Sequence, residues 1–167
     1  MLLQKIQVFH FHNGLPGGTE TVKRNLLKYS CNHVIENHLI YVINKDNNNN
    51  HSFPVMEGAV SQQVFLYSPN WNFYYTARQL AKLLPGEEAI IVAHDWLELG
   101  MVSALGLQHR VVQFLHGHYD YYYQLAVRHQ KQTDLFIAVA ANIEKKLKMQ
   151  DLGQILSNWL QGLLIQN

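Results

Sequence analysis

Short apolar runs of strand length, each followed by a stretch with helical spacing, recur along this chain, and that alternation restricts its fold more than any other feature. Ile6, Val8, Phe9 and Phe11 form the first run, and "HLIYVIN", "QVFLYS", "AIIVAH", "RVVQFLH" and "DLFIAVA" follow it. Between the runs, Val22, Leu26, Leu27 and Ser30 share one helical face. Ala77, Leu80, Ala81 and Leu84 mark a helix closed by Pro85 and Gly86. "WLELGMVSALGLQ", "DYYYQLAVRHQK" and "NIEKKLKMQ" read as further helices. Buried strands joined by helices must run parallel, with the helices covering the sheet. The fold expected over residues 1–150 is therefore α/β, a Rossmann-like parallel sheet with helices on both faces.

Composition narrows the class. At 167 residues the chain fits one domain, and 48% hydrophobic against 15% charged residues argues against disorder. A net charge of +1, with Lys and Arg dispersed, gives no basic face for nucleic acid. Cys31 is the single cysteine, which excludes an internal disulfide framework. "MLLQKIQVF" meets polar residues too early for a signal peptide, and no apolar run approaches the roughly 18 residues that a bilayer span needs. The expectation is a cytoplasmic domain with at most peripheral contact at the inner face of the membrane.

In a parallel sheet, ligands bind outside the carboxyl ends of the strands. Three such ends are chemically unusual here: "HFHNGLPGG", "AHDW" from Ala93 to Trp96, and "LHGHYDYYY" from Leu115 to Tyr123. Gly17 and Gly18, just before a helix that Thr19 is placed to cap, suit a tight turn, a phosphate cradle or the rim of a sugar cleft. Their spacing is not the dinucleotide fingerprint, and no Gly-Lys-hydroxyl sequence follows for a P-loop. His10 and His12 share a strand face, and His116 and His118 are spaced alike, which raises a metal site with Asp95 as oxygen ligand. The absence of a helical His-Glu ligand motif weighs against it, and no metal is expected. Asp95 also suits a helix N-cap, and His116 suits either a rim acid or a histidine satisfied by loop backbone. Tyr119, Tyr121, Tyr122 and Tyr123 suit stacking on a sugar ring or ordinary packing.

The ordered series "GGTE", "AHDW", "LHG" and "DLFIAVA" resembles the N-terminal domain of family-four, GT-B-type retaining glycosyltransferases over Lys5 to about Leu147. The resemblance implies half of a GT-B fold. It implies an acceptor-binding domain that faces a second, donor-binding domain across a cleft, with a nucleotide sugar as co-substrate and no cofactor. It places Gly17 and Gly18 at the donor phosphates, Glu20 at the acidic position after them, and His116 at the transferred sugar as the catalytic residue. His94, Asp95, His12 and Tyr119 fall on the acceptor side. The implied acceptor is a glycan or a lipid-linked glycan, and the implied setting is cell-surface polysaccharide synthesis. Ala140 and Ala141 stand where the family has a serine cap.

After residue 150, Leu152, Ile155, Leu156, Trp159, Leu160, Leu163 and Leu164 follow helical spacing, interrupted by Gly153 and Gly162. A C-terminal amphipathic helix over 151–167 is expected, and no donor-binding domain. On that reading the chain is incomplete as a transferase, either truncated or working with a separate donor-binding chain or a second copy. Two rivals remain: a noncatalytic binding or assembly subunit of a split glycosyltransferase, and a small metal-dependent hydrolase.

Overall fold

The computed structural model describes residues 5–15, 17–30, 34–47, 53–152 and 154–157. Their order is β1 (Ile6–His12), α1 (Gly18–Ser30), β2 (Ile35–Asn44), β3 (Ala59–Tyr67), α2 (Phe73–Ala81), β4 (Ile90–Ala93), α3 (Trp96–Leu105), β5 (Arg110–Leu115), α4 (Asp120–His129), β6 (Leu135–Ala138), α5 (Ala141–Lys148) and β7 (Ile155–Ser157). The strands form one seven-stranded sheet in the order β3-β2-β1-β4-β5-β6-β7, and every pairing is parallel. The fold is the expected Rossmann-like α/β arrangement. Among the described residues, no helix is long and apolar enough to cross a membrane.

Side-chain alternation along the strands builds two apolar layers. Phe9, Phe11, Ile91, Ala93 and Val111 pack with Ala77 and Leu80 of α2 and with Leu97, Leu99 and Met101 of α3. On the opposite face Val8, Val92, Phe114 and Ile137 meet Leu26 of α1. Leu115, Phe136 and Ala138 are covered by Tyr123 and Ala126 of α4 and by Ile143 and Leu147 of α5.

The C-terminal helix expectation needs correcting where the structure speaks to it. Ile155–Ser157 is a strand, not a helical turn, and it pairs with Phe136, Ile137 and Ala138 of β6. The physical reason is the free edge of β6, whose backbone groups are satisfied by a short apolar segment laid alongside. The sheet thus continues past residue 150. Gly153 and the remainder of the expected helix, with Trp159, Leu160, Gly162, Leu163 and Leu164, lie outside the described residues, as does Cys31. A smaller correction concerns Thr19: α1 already begins at Gly18, and the N–H groups of Glu20 and Thr21 bond to the Gly17 carbonyl at 3.1 and 3.2 Å. The helix entry is closed by backbone rather than by the threonine.

β1 has β2 on one side and β4 on the other, so the strand order reverses between β1 and β4. Connections leave in opposite directions from that point, and a crevice opens at the carboxyl ends beside it. The ends of β1, β4 and β5 are its walls.

Candidate functional site

Strand parity decides what faces the crevice. Val8 and Val92 lie on the α1 side of the sheet, and His10 and His12 continue that parity in β1 as His94 does beyond β4. Phe114 does the same in β5, and His116 follows it by two residues. Parallel register then sets these residues side by side: His10 pairs with Val92, and Val92 with Val112. The rings of His94 and His116 stack with centroids 4.7 Å apart, and His94 lies 5.3 Å from the Phe114 ring. His94 Nδ1 and His116 Nε2 share a hydrogen bond of 2.5 Å.

Into this layer α1 sends Lys23, which is only 3% exposed. A cavity of about 80 Å³ is bounded by Lys23, His12, His94, His116, Asn13 and Glu98, among others. A wider pocket of about 500 Å³ opens beside it, lined by Gly17, Gly18, Tyr119 and Gly117, and the two share Asn13, Thr19, His116 and Tyr122. The three unusual strand ends therefore meet, with His116 on the wall common to both spaces.

The electrostatics follow from burial. His10 and His12 are pushed from 6.5 down to about 4, and His116 to about 3; in each the loss of solvent is the main cause and the Lys23 charge adds to it. His94 falls well below its ordinary value for the same reasons, with the neighbouring histidines adding to the effect. All four rings are neutral at pH 7. Each neutral ring keeps one N–H and one acceptor nitrogen, which suits orienting hydroxyls rather than balancing charge. Burial lowers the Lys23 ammonium too, while the charges of Glu98 and Asp95 raise it. Burial raises Glu98, against the pull of the backbone N–H groups that its carboxylate accepts.

Those N–H groups belong to His94 and Asp95, both at 2.8 Å from Glu98 Oε1. Asp95 and Glu98 form a capping box that fixes the start of α3. The carboxylate of Asp95 accepts from the Trp96 N–H at 2.7 Å and from the Tyr121 hydroxyl. So Asp95 does act as a cap, and it also stands on the cavity wall. Gly14 N–H donates to His12 Nδ1 at 2.7 Å, which leaves the His12 proton on the buried Nε2, without a partner. His10 Nε2 donates to Asn37 Oδ1 at 3.1 Å, away from the cavity lining.

Gly17 has φ +149°, a conformation that side chains disfavour, and a Cβ on either Gly17 or Gly18 would project into open space. The glycines keep the mouth of the wider pocket clear. Tyr119 is 69% exposed and lies on that side, not beside His94; its ring folds over Gly117, where a Cβ would come within 2.6 Å of it. His118 bonds to the Tyr123 hydroxyl at 2.6 Å through Nδ1. Among the described residues, no three His, Cys, Asp or Glu side chains are arranged to hold a metal ion.

Sequence reasoning missed Lys23 and Glu98. Both carried a signal: Leu26 and Leu27 follow Lys23 by three and four residues and so put it on the buried stripe, and Asp95-x-x-Glu98 is a capping-box pattern. No family model matches the chain, and no curated protein or solved structure matches it either.

Proposed function

We propose that this chain is the acceptor-side domain of a GT-B-type retaining glycosyltransferase, whose cleft is completed by a donor-binding domain. One observation carries the reading: Gly17, Gly18 and His116, assigned from the sequence to donor phosphates and transferred sugar, line one pocket. It adjoins the cavity that holds His12, His94 and Asp95. The pocket is large enough for a sugar ring, and the start of α1 lines it, where the helix dipole favours a diphosphate. In the transfer, the bond from the sugar's anomeric carbon to the diphosphate breaks and a bond to an acceptor hydroxyl oxygen forms on the same face. The hydroxyl proton leaves with the diphosphate. Neutral His116, held by His94, orients the sugar at that centre.

The test is radiolabelled transfer from nucleotide sugars by this chain together with a donor-binding domain. His116→Ala is expected to lower turnover by about 100-fold or more, with a much smaller change in acceptor KM. Turnover equal to wild type would remove His116 from the mechanism. Absence of transfer from any nucleotide sugar would refute the reading.

A further inference from the structure

We propose that the small cavity beside Lys23 is an oxyanion subsite, which holds a carboxylate or phosphate group carried by the acceptor. The inference rests on the transferase reading only in naming the acceptor as the carrier; the anion site itself stands on geometry.

Lys23 is almost wholly buried and borders the cavity, yet among the described residues its ammonium makes no hydrogen bond and no ion pair. Its three N–H donors therefore open onto the cavity rather than onto protein acceptors. The nearby carboxylates do not supply those acceptors. Glu98 Oε1 accepts from the His94 and Asp95 N–H groups and Asp95 Oδ1 from Trp96 N–H and the Tyr121 hydroxyl, and no oxygen of either carboxylate, Oε2 and Oδ2 included, comes within 4.0 Å of the Lys23 ammonium. Burial lowers the lysine to about 8, against the opposing pull of the Glu98 and Asp95 charges, so the ammonium remains the main form at pH 7. A second donor points to the same chemistry. His12, also on the cavity wall, carries its proton on a buried Nε2 that has no partner. Asn13, also on the wall, accepts from Leu15 N–H at 3.1 Å through Oδ1.

Size bounds the group that enters, and the Lys23 charge selects an anion. About 80 Å³ admits a carboxylate or phosphate but not a sugar ring, whereas the adjoining pocket of about 500 Å³ admits the ring. An acidic or phosphorylated sugar spanning the two spaces would put its anion on Lys23 and its ring beside His116.

Calorimetric titration of the purified full chain with D-glucuronate, D-glucose 1-phosphate and D-glucose tests this. At least one charged sugar is expected to bind tenfold or more tightly than glucose, and the tighter of the two identifies the group. Lys23→Met is expected to remove that preference while leaving glucose affinity unchanged. Wild-type protein that binds all three sugars equally overturns the proposal without recourse to any variant, as does a preference that survives in Lys23→Met. The outcomes separate the two readings. Charge-selective binding without transfer from any nucleotide sugar keeps the subsite and refutes the transferase, and transfer to glucose as efficient as to both charged sugars does the reverse.

Discussion

Lowering the pH from 7 to 4.5 is expected to remove several kcal/mol of stability. His10, His12, His94 and His116 are all held below 6.5 in the folded chain, chiefly by burial. The unfolded chain takes up protons near 6.5 that the folded chain refuses, so this stabilisation is whole above pH 6.5. It drains away as the pH falls toward about 4 for His10 and His12, and toward about 3 for His116. For fully buried His10, the interval from 6.5 to about 4 corresponds to about 3 kcal/mol. His38, His109 and His129 are lowered as well and act in the same direction. Glu98 acts the other way, because burial raises its carboxyl to about 7, and its protonation relieves a penalty as the pH falls. One carboxyl offsets only part of the histidine loss. Urea midpoints at pH 7, 6, 5 and 4.5 check this: a steady fall beginning near 6.5 is expected, and a flat profile down to pH 5 would contradict the buried histidine layer.

Gly58→Ala is expected to destabilise the fold by roughly 3 kcal/mol or more. Gly58 has φ +90°, and a Cβ there would lie 2.1 Å from the Leu27 carbonyl oxygen and 2.5 Å from its carbon. Both atoms are backbone within α1, so no rotamer change relieves the overlap. The turn before β3 would have to lift away from α1, and Leu27, Leu39 and Met56, which form one buried cluster, would separate with it. Thermal melting is expected to drop by about 10 °C, given about 2–4 °C per kcal/mol at this chain length. Gly86→Ala is the control, since its Cβ would meet nothing within 4 Å. A melting point for Gly58→Ala within 2 °C of wild type would show that the approach of this turn to α1 is not as described.

The sheet was legible because alternation of period-two and helical segments leaves few arrangements, and each run from "IQVFHFH" to "LFIA" is bounded by turn residues. β7 was not, because Ile155 and Leu156 fit a leucine stripe at helical spacing as well as they fit a strand, and only the unpaired edge of β6 decides between them. His10 and His12 were seen to share a face from parity alone. That His94 and His116 stand beside them depends on register between β1, β4 and β5, which single-strand patterns do not contain. The burial of Lys23 is hard to read from its residue type, because a lysine on a helix is ordinarily solvated, although its place ahead of Leu26 and Leu27 turns it inward. The direction of the Tyr119 ring is not legible in the sequence either, because it depends on the missing Cβ of Gly117, over which the ring lies in the glycine-loop pocket.

The proposed function requires that the crevice at the carboxyl ends of β1, β4 and β5 take a nucleotide sugar. Another groove of about 530 Å³ lies at the opposite, amino ends of β5 and β6, lined by His109, Arg110, Lys131 and Asp134, where Arg110 is already paired with Glu88 and Asp134. Nuclear magnetic resonance of the isotope-labelled chain, titrated with a nucleotide sugar, distinguishes the two ends of the sheet. Saturable shifts of the Gly17 and Gly18 amides together with the His116 ring are expected, while the amides of His109 and Arg110 stay in place. Shifts confined to the groove at His109 and Arg110, or none at Gly17, Gly18 and His116 at millimolar ligand, would rule out the proposed nucleotide-sugar site.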